Sequence, residues 1–250
     1  ERPPGWAVVL SGELGVQDFS SAFGLAFGLI SERDPGLFAV VWLSLRVSVS
    51  AVAIACLLGL PLGAALAVCR FPGRSAILVV LNALMGLPPV VVGLLLYLTL
   101  SNAGPLGFLE LLYTPRAMIL AQAVLVLPIV AALARQVIED LYLEYDEQLR
   151  SFGVRGLGLI ATLLWDGRYS LLTVALAGFG RAIAEVGAVI IVGGNINQVT
   201  RVMTTTIALE TSRGNLALAL ALGIILMGLA VLVSAAVMGL KATAHRSAYA

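Results

Sequence analysis

The chain has 250 residues, of which 60% are hydrophobic and only 12% charged; its mean hydropathy is +1.02 and its formal net charge +1. A chain this apolar and this nearly neutral excludes a nucleic-acid binder, and its repeated long apolar runs make a water-soluble all-helical fold a poor account of it. One histidine, His245 in a basic tail, and two cysteines too far apart on one expected helix to pair (Cys56 and Cys69) leave no metal cluster and no disulfide framework.

The opening Glu1-Arg2-Pro3-Pro4-Gly5 has neither a methionine nor the form of a signal peptide, and is set aside as a processing remnant or foreign extension. Phe19, Phe23 and Phe27 then recur every fourth residue among Ser20, Ser21, Gly24 and Gly28, until Asp34-Pro35-Gly36 stops the pattern. Residues 16–31 are too short and too glycine-rich for a span. They predict an interfacial helix within an extracytoplasmic segment, residues 1–36, with a sixth membrane element as the alternative.

Five apolar runs follow: Leu37–Val68, Ile77–Leu100, Ala117–Ile138, Leu171–Val192 and Leu216–Leu240. Each is long enough for the roughly 20 helical residues that cross a hydrocarbon core of about 30 Å. Unpaired backbone groups are too costly in lipid for anything but helices or a closed barrel, and the alternation of a barrel is absent. The expected fold class is an all-α integral membrane protein with five transmembrane helices over residues 37–240 and a tail at 241–250. The first run is long enough to tilt or project, and Pro61 is placed to kink it near one end. In the second, Leu87-Pro88-Pro89-Val90 removes two helical N–H groups and predicts a kink, so Pro88 and Pro89 are either a hinge or a shaper of packing. Gly24-x-x-x-Gly28 and Gly59-x-x-x-Gly63 have close-packing spacing, but 26 glycines generate such matches by chance.

Residues 139–169, between the third and fourth runs, hold nine charges: Glu139, Asp140, Glu144, Asp146, Glu147, Arg150, Arg155, Asp166 and Arg168. The segment is too short for a domain and too polar for lipid. Placing it in the cytoplasm also puts Arg70, Arg74, Arg135, Lys241 and Arg246 there. Arg2, Arg33, Arg116, Arg201 and Arg213 then lie outside, and Arg46 and Arg181 fall within spans. That is the direction of the positive-inside bias, with the N-terminus outside and the C-terminus inside.

A helix over Leu141–Gly153 would carry Leu141, Tyr145, Leu149 and Phe152 on one stripe and Glu144, Asp146, Glu147 and Arg150 on the other side, with Leu143 the exception. Gly153 and Gly156 supply a stop, and an apolar stretch, Leu157–Leu164, leads back to the membrane. Two readings fit this pattern, a helix lying flat on the bilayer and a helix held by a protein groove. The acidic face argues against an anionic leaflet and for the groove. Gly156-Leu-Gly158-Leu-Ile-Ala161 matches a loose dinucleotide fingerprint without the preceding strand, and is discarded.

Here the chain resembles the membrane permeases of ATP-binding cassette (ABC) importers. Their cytoplasmic signature sets a Glu six residues before a Gly, positions held by Glu147 and Gly153; Gln148-Leu149 and Trp165-Asp166 depart from the two alanines and the Leu-Pro common there. Longer blocks are similar to the tungstate-type importers of the molybdate, tungstate and sulfate group: Asn82 to Gly93, Phe179 to Ala188, Gly193 to Ile196, Thr200 to Thr205 and Leu209 to Ser212. Only about the first 30 residues fall outside the resemblance. It implies a type I ABC importer permease fold, with Glu144, Tyr145, Glu147, Leu149, Arg150, Phe152 and Gly153 in a coupling helix that docks on an ATPase subunit. It also implies a homodimer, two ATPase subunits and an extracytoplasmic oxyanion-binding protein. No G-x-x-x-x-G-K-[ST] loop is present. This chain is therefore expected to bind no cofactor, ATP and Mg belonging to the partner ATPase.

Arg181 and Glu185 stand four apart in the fourth run, where a lone charge costs about 2.5 to 3.5 kcal/mol. They are either an internal ion pair that fixes packing or part of the translocation path. After Gly193-Gly194, Asn195, Thr200, Arg201 and Thr204, with Thr205 and Thr206, offer weak contacts to an oxyanion or, equally, the caps of an ordinary outer loop. The rival readings are an intramembrane enzyme built on Arg181, Glu185 and Asp166, and a scaffold whose loop recruits a partner. No H-E-x-x-H, G-x-S-x-G or Cys/His constellation supports the enzyme.

Overall fold

The computed structural model describes residue 28, residues 35–154 and residues 156–248, without the side chains of residues 35, 150, 217 and 240–248. The helix expected around Phe19–Phe27 and the side chain of Arg150 lie outside the described residues. The elements are α1 Pro35–Val68, α2 Arg74–Met85, α3 Pro89–Leu100, a 3-10 turn Gly107–Leu109, α4 Pro115–Ser151, α5 Leu157–Asp166, α6 Arg168–Ile183, α7 Gly187–Gly193, α8 Met203–Ser212 and α9 Leu216–Ala248. Among the described residues there is no strand, in keeping with the all-α expectation.

The hub is α4, which touches α1, α2, α3, α5, α6 and α7. Its most apolar window is 67% buried, against 11% for α9, which packs on α8 and α6 and leaves Met227, Val231, Leu232 and Met238 bare. Lipid tails are as apolar as leucine, so helix association there rests on close packing rather than on removing apolar surface from water. The α1–α4 crossing follows that rule. A Cβ on Gly63 would run into Ala131 O and come within 2.9 Å of the Ala134 Cβ, and one on Gly59 would lie 3.0 Å from Val130 Cγ1. The Gly59-x-x-x-Gly63 spacing, weighed above as a chance match, is thus the face on which α1 meets α4.

The second apolar run does more than kink. Pro88 is extended (φ −62°, ψ 126°) and Pro89 opens α3, so the helix that ends at Met85 restarts at an angle of 101°. The third run does not stop at Ile138: α4 continues to Ser151 and absorbs the separate helix expected over Leu141–Gly153. Nothing in Glu139–Arg150 breaks a helix, and the Glu139 carboxylate is paired by Arg135 one turn back and by Arg74 at 3.1 Å. The fourth run is two helices, α6 and α7, interrupted at Ala184–Val186, while α5 and α6 meet at 79°. Among the described residues three helices are long and apolar enough to cross a membrane unaided, and the two bent pairs raise this to five. In α1 the helix runs uninterrupted through Pro61.

Candidate functional site

The interruption between α6 and α7 gathers three buried polar side chains, Gln122, Glu185 and Thr204. Past the end of α6, Glu185 is 3% exposed; its Oε1 accepts the Ala188 N–H at 3.1 Å, and its Oε2 accepts from Arg181 Nη1 at 2.5 Å. The carboxylate therefore satisfies a free N–H in the first turn of α7, where negative charge is favoured, while the guanidinium lies against the last turn of α6. Arg181 and Glu185 are brought together, as a clamp across a break rather than on one continuous helix. Gln122, in the early turns of α4, donates from Nε2 to Ala182 O at 3.0 Å and leaves its Oε1 buried without a partner among the described residues.

Around this break the backbones approach closely. A Cβ on Gly93 of α3 would lie 2.8 Å from Ala188 Cα, and one on Gly187 2.9 Å from Val90 Cγ2, so α3 and α7 pack almost backbone to backbone. Pro88 and Pro89 set the direction of α3 at this crossing, with Pro88 itself exposed.

The threonines expected after Gly194 are occupied inside the fold. Thr200 Oγ1 donates to Gly193 O at 2.5 Å and accepts Ile196 N–H, and Thr204 Oγ1 donates to Glu185 O at 2.9 Å. Thr205 Oγ1 accepts Val202 N–H at 3.1 Å and lies 2.9 Å from Asn195 Oδ1; Thr206 donates to Val202 O. Asn195 adopts a left-handed φ of 49°. Arg201 Nη1 donates to Asn197 Oδ1 at 3.2 Å, and its Nε is buried without a partner among the described residues. The start of α8 is tied to α1 by the Met203 N–H, which donates to Ser44 Oγ at 2.7 Å. From the connection between α3 and α4, Tyr113 N–H donates to Val192 O, and a hydrogen bond with Tyr97 raises the Tyr113 phenol above its ordinary pKa.

At the far end of α4, Gly153 (φ 72°) closes the helix, and Val154 N–H reaches back to Leu149 O at 3.0 Å, a Schellman turn with Leu149 and Val154 in contact with the core. Leu141 and Leu149 face this chain's own core, where the sequence had suggested a partner's groove. A groove of about 210 Å³ separates Tyr145, Leu149 and Phe152 from Thr162, Trp165 and Asp166 of α5. What faces outward is the acidic side, Glu144 and Glu147, flanked by bare Leu143, Phe152, Leu157 and Trp165, which are 71–85% exposed. Arg168 spans Trp165 and Tyr169, 4.8 and 4.5 Å from their ring centroids.

Over 222 residues the chain is 38% identical to the tungstate uptake system permease protein TupB of Peptoclostridium acidaminophilum, a match covering 89% of this chain and 97% of that one. The chain belongs to the tungstate-type permeases of ABC importers. A probable anion ABC transporter permease protein of Haloferax volcanii is 40% identical over 204 residues, 80% of this permease and 88% of its relative. The molybdate/tungstate transport system permease protein WtpB of Thermococcus kodakarensis is 31% identical over 165 residues, 64% and 62% of the two chains. No family model matches the permease. It is a multi-pass membrane protein and a transport subunit, not an enzyme.

Sequence reasoning missed Ser44, Gln122 and Gly93. Their signal was available for the first two as polar residues inside apolar runs, which lipid does not tolerate unpartnered.

Proposed function

We propose that two copies of this chain form the membrane path of an importer for a tetrahedral oxyanion, tungstate in the first place, with molybdate, vanadate or sulfate as alternatives. The observation that carries the reading is the outward face of the 139–169 end: an acidic surface edged with bare aromatic and aliphatic side chains, mounted rigidly on the helix that runs through the centre of the bundle. Such a tip suits a groove in a soluble subunit, and the names of the relatives support an ATPase as its owner. Two ATPase subunits would hold ATP and Mg, and an extracytoplasmic binding protein would deliver the ion. In this arrangement the 139–169 end is cytoplasmic, the N-terminus outside and the C-terminus inside.

Glu144, Tyr145, Glu147, Leu149, Arg150, Phe152 and Gly153 transmit motion from the ATPase. Because α4 is one helix from Pro115 to Ser151, displacement of its tip moves the centre of the bundle as a rigid body. Alternating access would then bend the chain at its two existing breaks, Pro88-Pro89 and Ala184–Val186, with the Arg181–Glu185 clamp holding one state. Asn195, Thr200, Arg201 and Thr204 brace the outer gate; Arg201 is the member of this group with a buried donor left to offer an anion. A net-neutral Arg181–Glu185 pair avoids a deep trap for a dianion on the path.

The test is uptake by the reconstituted transporter, with ATPase subunits and loaded binding protein in proteoliposomes. Wild type is expected to accumulate tungstate with ATP hydrolysis, and an assembled Glu147→Arg complex to hydrolyse ATP without accumulating it. Full uptake by that assembled variant removes the 139–169 tip from coupling; a wild type that accumulates none of the four oxyanions removes the transport reading.

A further inference from the structure

We infer that the recess between α1 and the start of α4 is an anion-receiving site in which Arg46 and Arg116 together hold a tetrahedral oxyanion. The inference deepens the proposed transport function and rests on it for the direction of travel. The recess has a volume of about 250 Å³ and is lined by Arg46 and Val47 from α1, Arg116 and Ile119 from α4, and Glu110 and Thr114 from the connecting turn. At about 30 Å³ per water it has room for an oxyanion and part of its hydration shell.

Two features set these arginines apart. The side chains of Arg74, Arg135, Arg168, Arg181, Arg201 and Arg213 each make a hydrogen bond or ion pair, whereas among the described residues Arg46, Arg70 and Arg116 make none, and of these three Arg46 and Arg116 line the same recess. Arg46 and Arg116, both exposed, nonetheless line one cavity from positions 70 residues apart in the sequence. Planar forks of N–H donors match the oxygens of a tetrahedral oxyanion, and two of them can grip different edges of it. Glu110, also in the lining, reduces the local formal charge to +1, enough to attract a dianion without trapping it.

Position gives the recess its use. Arg116 stands in the first turn of α4, so the recess opens at the end of that helix opposite the 139–169 tip, the entry side of the proposed transporter. Arg46, which the sequence put inside a span, is level with that first turn. The start of α1 projects past it, so this cation sits at the rim of the bundle rather than at the costly centre of the bilayer. The phosphate of an anionic lipid shares the chemistry of the transported ion, and the experiment separates the two.

The assembled transporter, in nanodiscs of phosphatidylcholine and without binding protein, is equilibrated with tungstate at low salt, and bound tungsten is measured by elemental analysis. The expected result is one weakly bound tungstate per permease chain, with affinity reduced at least 10-fold in the double variant Arg46→Gln, Arg116→Gln and only a few-fold in Arg46→Lys, Arg116→Lys. The lysine pair keeps a loss of the site distinct from a failure to fold. Equal binding in nanodiscs containing phosphatidylglycerol assigns the recess to the free ion; displacement of tungstate there assigns it to the lipid phosphate. Absence of binding to wild type, or binding unchanged in the glutamine pair, overturns the inference. If wild type still imports tungstate in that case, the transport function stands and only the recess falls.

Discussion

Arg181 and Glu185 are joined by a 2.5 Å contact that bridges the end of one helix and the start of the next, with Glu185 3% and Arg181 32% exposed. Removing one partner strands the other in a poorly hydrated place, which costs several kcal/mol when both are fully buried and less here because the arginine reaches the surface. Glu185→Ala also leaves the Ala188 N–H without its acceptor. The expected loss is about 2 to 3 kcal/mol, seen as a fall in melting temperature of the purified permease. The double variant Arg181→Met, Glu185→Leu should lose less than the sum of the single changes. Additive losses would mean that the pair is not coupled.

Gly153 has φ 72° and nothing within 4 Å of where a Cβ would stand. Gly153→Leu therefore introduces backbone strain of about 1 to 2 kcal/mol without a clash. The subunit should fold and assemble, while the turn that orients Val154 and α5 is distorted, so ATP hydrolysis by the complex should persist with uptake reduced several-fold. Uptake per ATP equal to wild type would show that this turn does not orient the docking surface.

Gly63 differs, because a Cβ there meets Ala131 O and the Ala134 Cβ across the α1–α4 crossing. Gly63→Leu should prevent the two helices from closing, with a cost above the ~1 to 3 kcal/mol usual for overpacking. The expected readout is loss of a monodisperse peak in size-exclusion chromatography. Gly228→Leu, on the open face of α9 with nothing within 4 Å, is the matched control and should behave as wild type.

Thr205 is fully buried, and its hydroxyl is shared among Val202 N–H, Val202 O and Asn195 Oδ1. Thr205→Val keeps the shape and strands these groups, with an expected cost of about 1 to 3 kcal/mol. Thr205→Ser, which keeps the hydroxyl, should restore most of the lost melting temperature. A serine variant as unstable as the valine one would assign the effect to the methyl group instead.

Much of the candidate site could be read along the chain because its chemistry is local. Gly153 stops the helix six residues after Glu147, and Arg181 and Glu185 stand four apart, close enough along the chain for their side chains to meet across the break. The hydroxyl of Ser44 shows the limit. It accepts the N–H of Met203, 159 residues further on, and no periodicity relates the two. The same holds for Gln122 against Ala182 and for Gly93 against Ala188, where a missing side chain matters only because another backbone lies beside it.

The order of apolar runs and charges along the chain by itself determined an all-helical membrane protein with a polar segment between its third and fourth runs. A hydrocarbon core admits little else, and the cost of burying charge in it is read residue by residue. Only the tertiary structure decided that the first part of this segment is continuous with the central helix, that the fourth run breaks at Glu185, and that Arg46 and Arg116 share a recess. Those outcomes depend on which faces of distant helices meet, and that is settled by close packing between segments whose sequences carry no record of each other.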